Sequence, residues 1–326
     1  MDDALPLLGF GLPVSGSWAR PPTMLRVAQR AEELDYHALW TFQRLLVPAE
    51  GTIDPAWDER NNPAVRSADD PSYRSVHDPL LPLAYVAGHT SRIRLGTATI
   101  CALFTPPVVL ATALTTADHL TGGRLDVGLG IGWLPHEYVA AGVPQERRGA
   151  RFEEYLRVLE ALWTEDPVEH RGEFYDVPRS HPGPAPVQRP RPPLLLGGAA
   201  PAALRRAGRV ADGWIASSRQ DLERIGESIR LVRAGAEEAG RDPGTVRVVV
   251  RAIVDLHERP VGRREPLQGS VDQVRDDLVA MRRRGVTEVF VDLNFSPRVG
   301  SPDIEPDVAE EHALQVLEAL APHALG

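Results

Sequence analysis

The sequence predicts an α/β protein, a (β/α)8 TIM barrel with loop insertions after strands 2, 4 and 7, and three observations carry that prediction. Short apolar runs alternate with helical patterns along the whole chain, which is how βα units around a parallel sheet look in sequence. The runs number eight, whereas open doubly wound sheets commonly have five or six strands. The length of 326 residues accommodates a barrel of ~250 residues with insertions, so residues 1–326 are read as a single domain.

The expected strands are Leu5–Phe10, His37–Thr41, Ile93–Thr99, Arg124–Leu129, Pro193–Leu196, Gly213–Ala216, Val246–Val254 and Glu288–Leu293. Helices are expected at Thr23–Leu34, Pro79–Thr90, Val108–Leu120, Arg151–Trp163, Pro201–Val210, Asp221–Ala239, Val271–Arg284 and Asp307–Leu320. In the first of these, Met24, Leu25, Val27, Ala28, Ala31 and Leu34 fall on one helical face, as a helix covering a barrel requires. Three stretches interrupt the alternation: Pro48–Tyr73, acidic and rich in Pro, Asn and Asp; Glu165–Arg191, with a hairpin-like VEHRGEFYDV followed by a proline-rich run; and Glu258–Gly269. Long loops in a compact domain are usually functional or mobile, and the βα loops of a barrel form its catalytic rim, so these three are expected to shape a pocket.

Composition removes several classes of function. All 36 basic residues are arginine, which excludes Schiff-base lysines and the Walker P-loop. A net charge of −9 without a basic stretch argues against nucleic acid. The lone Cys101 cannot form an internal disulfide or a thiolate zinc site, so no metal is expected, and Cys101 reads as a small packing residue. No run of about 18 apolar residues is present, and MDDALPLLGFGLP lacks the features of a secretory signal. The expectation is a cytoplasmic protein without a membrane partner.

Barrel enzymes place their chemistry at the C-terminal strand ends. That restricts the candidates to Leu12–Pro13, Thr41–Arg44, Thr97–Cys101, Gly130–Glu137, Gly197–Gly198, Ser217–Arg219, Asp255–His257 and Asp292–Asn294. Gly197–Gly198 ends a strand and opens a helix, so unpaired amides and the positive end of a helix dipole meet a backbone without Cβ atoms. An anion fits there; the bland alternative is a plain βα turn. The run Gly128–Leu129–Gly130–Ile131–Gly132 imitates a dinucleotide fingerprint, but Trp133 stands where the third glycine belongs, and the Rossmann reading is rejected. Arg44 is a fork-shaped donor for a carboxylate or phosphate, against the alternative of a solvated rim arginine. Asp78 is placed to cap a helix next to His77, and His136–Glu137 to start one. His257, Asp292 and Asn294 follow the last two strands and come within reach of a substrate.

The block RIRLGTATICALFTPPVVLATALTTADHLTGGRLDVGLGIGW resembles the third-to-fourth-strand region of luciferase-like flavin and deazaflavin oxidoreductases. RPPLLLGGAAPAALRRAGRVADGWIAS is similar to their fifth-to-sixth-strand region. The order of GT, TGGR, GxGW, LLLGG and DGW extends the likeness over roughly residues 5 to 320. The resemblance implies an oxidoreductase that holds coenzyme F420 or FMN, forms a homodimer, and receives reduced cofactor from a separate reductase. It assigns the cofactor to Thr97, Ala98, Thr99, Gly130, Gly132, Trp133, Gly197, Gly198 and Ser217, and in some members it brings a non-proline cis peptide, here near Ala98–Thr99. Sugar dehydrogenases of the family carry Asp-His after the second strand and a glutamate just after the strand-four glycines. Here those positions read Gln43, Arg44 and Trp133, so that oxidation mechanism is not expected. The resemblance and these departures together imply a coenzyme F420-dependent reductase of a small organic substrate, with Gln43 and Arg44 polarising it and His257 as a proton donor. An FMN monooxygenase using O2 and a non-catalytic flavin-binding barrel are the alternatives.

Overall fold

The computed structural model describes residues 4–49, 51–52 and 70–325. Within them β1 (Leu7–Gly11), β2 (Ala38–Thr41), β3 (Arg94–Thr97), β4 (Leu125–Gly130), β5 (Leu194–Gly197), β6 (Gly213–Ala216), β7 (Arg247–Ala252) and β8 (Glu288–Val291) pair in parallel, in that order. β8 also pairs with β1, Phe10 lying opposite both Leu39 and Val291, and the sheet closes into the expected (β/α)8 barrel. Parallel strands are buried on both faces, which is why these segments read as nearly continuous apolar runs.

Eight helices alternate with the strands: α1 (Pro21–Glu33), α2 (Leu81–Ala87), α3 (Pro107–Leu120), α4 (Arg148–Thr164), α5 (Pro201–Val210), α6 (Ile225–Glu238), α7 (Val271–Arg283) and α8 (Pro306–Ala319). Proline sits in the opening positions of α1, α2, α3, α5 and α8, where its missing N–H removes no helical hydrogen bond. Ser270 and Gln273 form a reciprocal capping box at the start of α7. The main apolar core lies between strands and helices; on α1 it takes Met24, Val27, Ala28 and Ala31 from one face.

A second, smaller core fills the barrel itself: Ala38, Trp40, Ala98, Leu195, Ile215, Val249 and Phe290. The Trp40 and Phe290 rings stack there with centroids 5.4 Å apart. Gly96 makes room for them, since a Cβ on it would lie 2.4 Å from Trp40 Cζ3. Below this layer, at the N-terminal strand ends, four charged side chains close the floor. Asp126 accepts from Arg94 at 2.7 and 2.9 Å and from Arg247 at 2.9 and 3.2 Å. Arg247 also donates to Glu288 at 2.9 Å, and Glu288 accepts from Trp40 Nε1 at 3.0 Å.

The interruptions are not equivalent. Most of Pro48–Tyr73 lies outside the described residues. Glu165–Arg191 contains the expected hairpin, Val168–Arg171 against Asp176–Ser180, but it follows α4 and precedes β5. Its C-terminal part lies at the N-terminal end of the barrel, where Gln188 bonds to Asp118 and to the carbonyl of Leu125, the first residue of β4, while the hairpin tip runs back along α4 to Arg147 at its start; no residue of the segment lines the cavity described below. Glu258–Gly269 stays on the rim, closed by a short parallel ladder between Asp255–Leu256 and Gln268–Gly269. The expected third strand is also divided. β3 ends at Thr97, the Ala98–Thr99 peptide is cis, and Ile100–Cys101 pairs separately with Leu129–Gly130. Among the described residues, no helix is long and apolar enough to cross a membrane.

Candidate active site

The strand ends open onto a cavity of ≈ 310 Å³, at the low end of the range for small-molecule sites. Of the residues expected at the site, Gln43, Arg44, Ala98, Thr99, Gly130, Gly132, Trp133, Gly197, Gly198 and Ser217 line it. Thr97 and His257 do not. The Thr97 hydroxyl is spent between strands, accepting from Gly128 N and donating to its carbonyl, both at 2.9 Å. His257 is held on the rim ladder with Nε2 3.1 Å from Asp255 Oδ2.

Glycines shape part of the cavity wall. Gly132 has φ +72°, and a Cβ on it would lie 2.8 Å from Cys101 Sγ. A Cβ on Gly130 would lie 2.8 Å from Thr99 Oγ1. Gly198 has φ +145°, which disfavours any L side chain, and its carbonyl accepts from Trp214 Nε1 at 2.8 Å. α5 starts soon after it with no side-chain cap; Pro201 has no N–H and Ala203 N donates to Ala200 O at 2.8 Å, so what the helix start offers an acceptor is chiefly the positive end of its dipole.

Arg44 is not a solvated rim residue. It is buried, its Nη1 lies 3.1 Å from Glu137 Oε2, and its guanidinium packs 4.2 Å from the Tyr73 ring centroid and 4.8 Å from that of Trp133. Glu137 also accepts from Leu45 N at 2.8 Å, so the segment after β2 is tied to the short helix Pro135–Ala140. Sequence reasoning makes Glu137 a helix-start residue and misses this pairing. Gln43 accepts from Cys101 N at 2.8 Å and fixes the segment after β3. Burial pushes the Cys101 thiol far above its usual range, so the group is a neutral packing surface at the cavity edge.

The residue missed altogether is Arg251, near the end of β7. It faces the lumen above Phe290, lines the cavity, and donates through Nη2 to the Ala98 carbonyl. Burial pulls its guanidinium below the usual arginine range; Asp292 opposes this, while Arg219 and Arg44 add to it. The inward alternation of 247, 249 and 251 along an apolar strand was the available signal. Asp292 and Asn294 serve the scaffold here. Asn294 accepts from Val14 N and Ser15 N and donates to Leu12 O and Asp292 Oδ1, locking the segment after β1. Asp78 caps as expected, accepting from Leu80 N and Leu81 N at 2.8 and 3.0 Å.

The luciferase-like monooxygenase family model matches residues 10–268. The chain belongs to that family. An uncharacterised protein of Mycobacterium tuberculosis is 36% identical over 250 residues, 74% of this chain and 87% of that protein. The FMNH(2)-dependent dimethylsulfone monooxygenase of Pseudomonas putida is 35% identical over 151 residues, 45% of this chain and 40% of that one. Two solved structures superpose over nearly their whole length. Monooxygenase RslO1 from Streptomyces bottropensis has TM-score 0.75 and 24% identity, covering 97% of this chain and 99% of that one. The coenzyme F420 dependent tetrahydromethanopterin reductase from Methanopyrus kandleri has TM-score 0.71 and 17% identity, covering 98% and 99%. Membership makes the protein a luciferase-like oxidoreductase; the proteins it is similar to include an FMNH(2)-dependent relative in sequence and a coenzyme F420 dependent neighbour in fold.

The cavity suits a flavin-type ring and its phosphate on chemical grounds. Arg44 Nε and Arg251 Nε are buried without a hydrogen-bond partner, and the Gly197–Gly198 turn offers an uncapped helix start without Cβ atoms toward the opening.

Proposed function

We propose that this protein is a coenzyme F420-dependent reductase of a small organic substrate. The observation that carries the proposal is the charge of the cavity. Arg44, Arg219 and Arg251 line it with Glu137 as the one carboxylate among the described residues, and Asp292 stands behind Arg251. Coenzyme F420 adds tail carboxylates to its phosphate, whereas FMN ends at the phosphate, and an arginine-rich mouth favours the more highly charged ligand.

When bound, such a cofactor supplies a hydride from its ring. Among the residues that line the cavity, Ala98, Thr99 and Gly130 would hold the ring, Gly197–Gly198 would receive the phosphate, and Phe42, Phe104 and Phe295 would exclude water. Histidine is absent from the lining among the described residues, and the carboxylate there, Glu137, is engaged by Arg44 and Leu45 N, which supports the reductive direction. Gln43 Oε1 is occupied by Cys101 N and Arg44 by Glu137, so they act on substrate as fixed dipole and charge. Either cofactor would arrive already reduced, from a separate reductase.

A second reading, an FMN monooxygenase, is favoured by the 35% identity to the dimethylsulfone enzyme. Titration with reduced F420 and reduced FMN, followed by oxygen uptake, separates the two. Preferential F420 binding without oxygen uptake supports the first; tight FMN binding with oxygen consumed in step with substrate supports the second. Binding without turnover of any hydride acceptor would leave a non-catalytic flavin carrier.

A further inference from the structure

Ala98 and Thr99 belong to neither neighbouring ladder, because β3 pairs up to Thr97 and pairing resumes at Ile100. Their backbone has to find partners elsewhere, since a buried amide or carbonyl left unpaired costs about as much as a lost hydrogen bond. Ala98, buried in the core inside the barrel, donates through N to the Thr41 carbonyl at 2.6 Å, and its own carbonyl accepts from Arg251 Nη2. Thr99 is seated by glycines: a Cβ on Gly130 would lie 2.8 Å from its Oγ1, and a Cβ on Gly197 3.1 Å from its Cγ2. Just beyond, Cys101 N donates to Gln43 Oε1 at 2.8 Å. Thr41 and Gln43 stand at the end of the adjacent strand β2. Arg251 stands on β7, four strands away in either direction around the sheet, and reaches Ala98 across the lumen.

Arg251 is itself held. Its Nε lies 3.3 Å from Asp292 Oδ2, and the other Asp292 oxygen accepts from Asn294 N at 3.1 Å and Nδ2 at 2.8 Å. Asn294 in turn accepts from Val14 N and Ser15 N at 3.0 and 3.1 Å. The rings of Phe42, Phe290 and Phe295 pack around the guanidinium, 5.0 to 5.7 Å from their centroids. A line of polar contacts therefore runs from the segment after β1, through the ends of β8 and β7, to the cavity wall after β3. That wall is where the ring would lie, so the inference rests on the proposed cofactor site. We propose that Arg251 is a positioning residue for the bound cofactor: by holding the Ala98 carbonyl it fixes the Ala98–Thr99 wall, and Asp292 with Asn294 fixes Arg251. The demand is geometric, because a misplacement of ~1 Å is enough to cost about a hundredfold in a positioned reaction, and a site is only as well placed as the side chains that support it.

The test uses the full chain with oxidised FMN and oxidised F420, and reads three quantities: the dissociation constant, the visible circular dichroism of the bound ring, and urea unfolding of the free protein. Arg251→Met keeps most of the side-chain volume and removes the donor; it should weaken cofactor binding tenfold or more and change the dichroism of the ring. Arg251→Lys, whose ammonium can still donate to the Ala98 carbonyl, should recover most of both signals, and Asp292→Asn should weaken binding threefold or more. Asp126→Asn, in the floor network, is the control: it should lower stability and leave affinity and dichroism as they are in wild type. Unchanged affinity and dichroism in a folded Arg251→Met protein overturn the inference while leaving the cofactor assignment standing. An equal loss of affinity in Asp126→Asn overturns it too, since binding would then follow stability alone. If Arg251→Met does not fold, unchanged signals in Asp292→Asn overturn it instead. Wild type that binds neither cofactor overturns both the inference and the cofactor assignment.

Discussion

Arg44 Nη1 and Glu137 Oε2 lie 3.1 Å apart, with side-chain exposures of 5% and 6%, and they join two segments separated by 93 residues in sequence. Removing one partner of such a pair leaves the other as an uncompensated buried charge, a loss of about 3 to 5 kcal/mol. Arg44→Ala and Glu137→Gln are each expected to destabilise the protein in urea unfolding. The double variant Arg44→Met/Glu137→Gln should lose much less than the sum of the two. Additive losses would mean that the residues do not act as a pair.

The Gly197–Gly198 turn sets a second expectation. At Gly198, φ +145° and an approach of 2.7 Å from an added Cβ to Ala203 Cβ mean that Gly198→Ala changes the fold as well as the opening. A loss of about 1 to 3 kcal/mol is expected, together with at least tenfold weaker cofactor binding. Gly198→Ala/Ala203→Gly removes the close contact and keeps the unfavourable φ. If the double variant regains stability without regaining binding, the turn holds the cofactor directly; recovery of both would reduce Gly198 to a packing role.

Much of this is legible in the sequence, and the exceptions have physical causes. The strand count and the glycine positions follow from local patterning. Arg251 escapes notice because the expected strand, Val246–Val254, places it inside the strand, whereas the observed strand ends at Ala252 and leaves Arg251 next to its end; its spacing from Arg247 is the usable sign. Glu137 needs the contact across 93 residues that no local pattern encodes. Thr97 stands at the correct strand end, but its hydroxyl turns to Gly128 and away from the cavity. Glu165–Arg191 stays out of the cavity because it follows a helix: the connection starts and ends at the other end of the barrel, and only its hairpin tip returns along α4 to Arg147.

The barrel interior gives a packing test. Gly96→Ala would bring a methyl group 2.4 Å from Trp40 Cζ3 and 2.6 Å from Cε3, with Phe290 stacked on the same indole. Overpacking of this kind costs about 1 to 3 kcal/mol. Gly96→Ala should lower the melting temperature, and adding Trp40→Phe should return part of the loss, since the smaller ring vacates the space. Failure of Trp40→Phe to help would point to the Trp40–Glu288 hydrogen bond, which the second substitution removes, as the larger contribution.

The floor network predicts opposite pH dependences for two neighbouring acids. Burial acts to raise the pKa of Asp126, but the Arg94 and Arg247 guanidiniums outweigh it and hold the group below its ordinary value. Burial raises Glu288 above its ordinary value, although Arg247 and Trp40 pull the other way. A lowered native pKa gives stability that is present above the unfolded value, about 3.9 for an aspartate, and is lost as pH falls through the native value. A raised one gives stability that is present below the unfolded value, about 4.3 for a glutamate, and is lost as pH rises through the native value. The deficit of Asp126→Asn against wild type should therefore hold from pH 7 to 4 and shrink only as pH falls below about 4. Wild type should lose ground to Glu288→Gln as pH rises from 4 toward 7. Urea unfolding of the three proteins from pH 2 to pH 7 reads both slopes. Slopes of the same sign would mean that Arg247 serves the two carboxylates alike and that Glu288 is ionised as readily as Asp126.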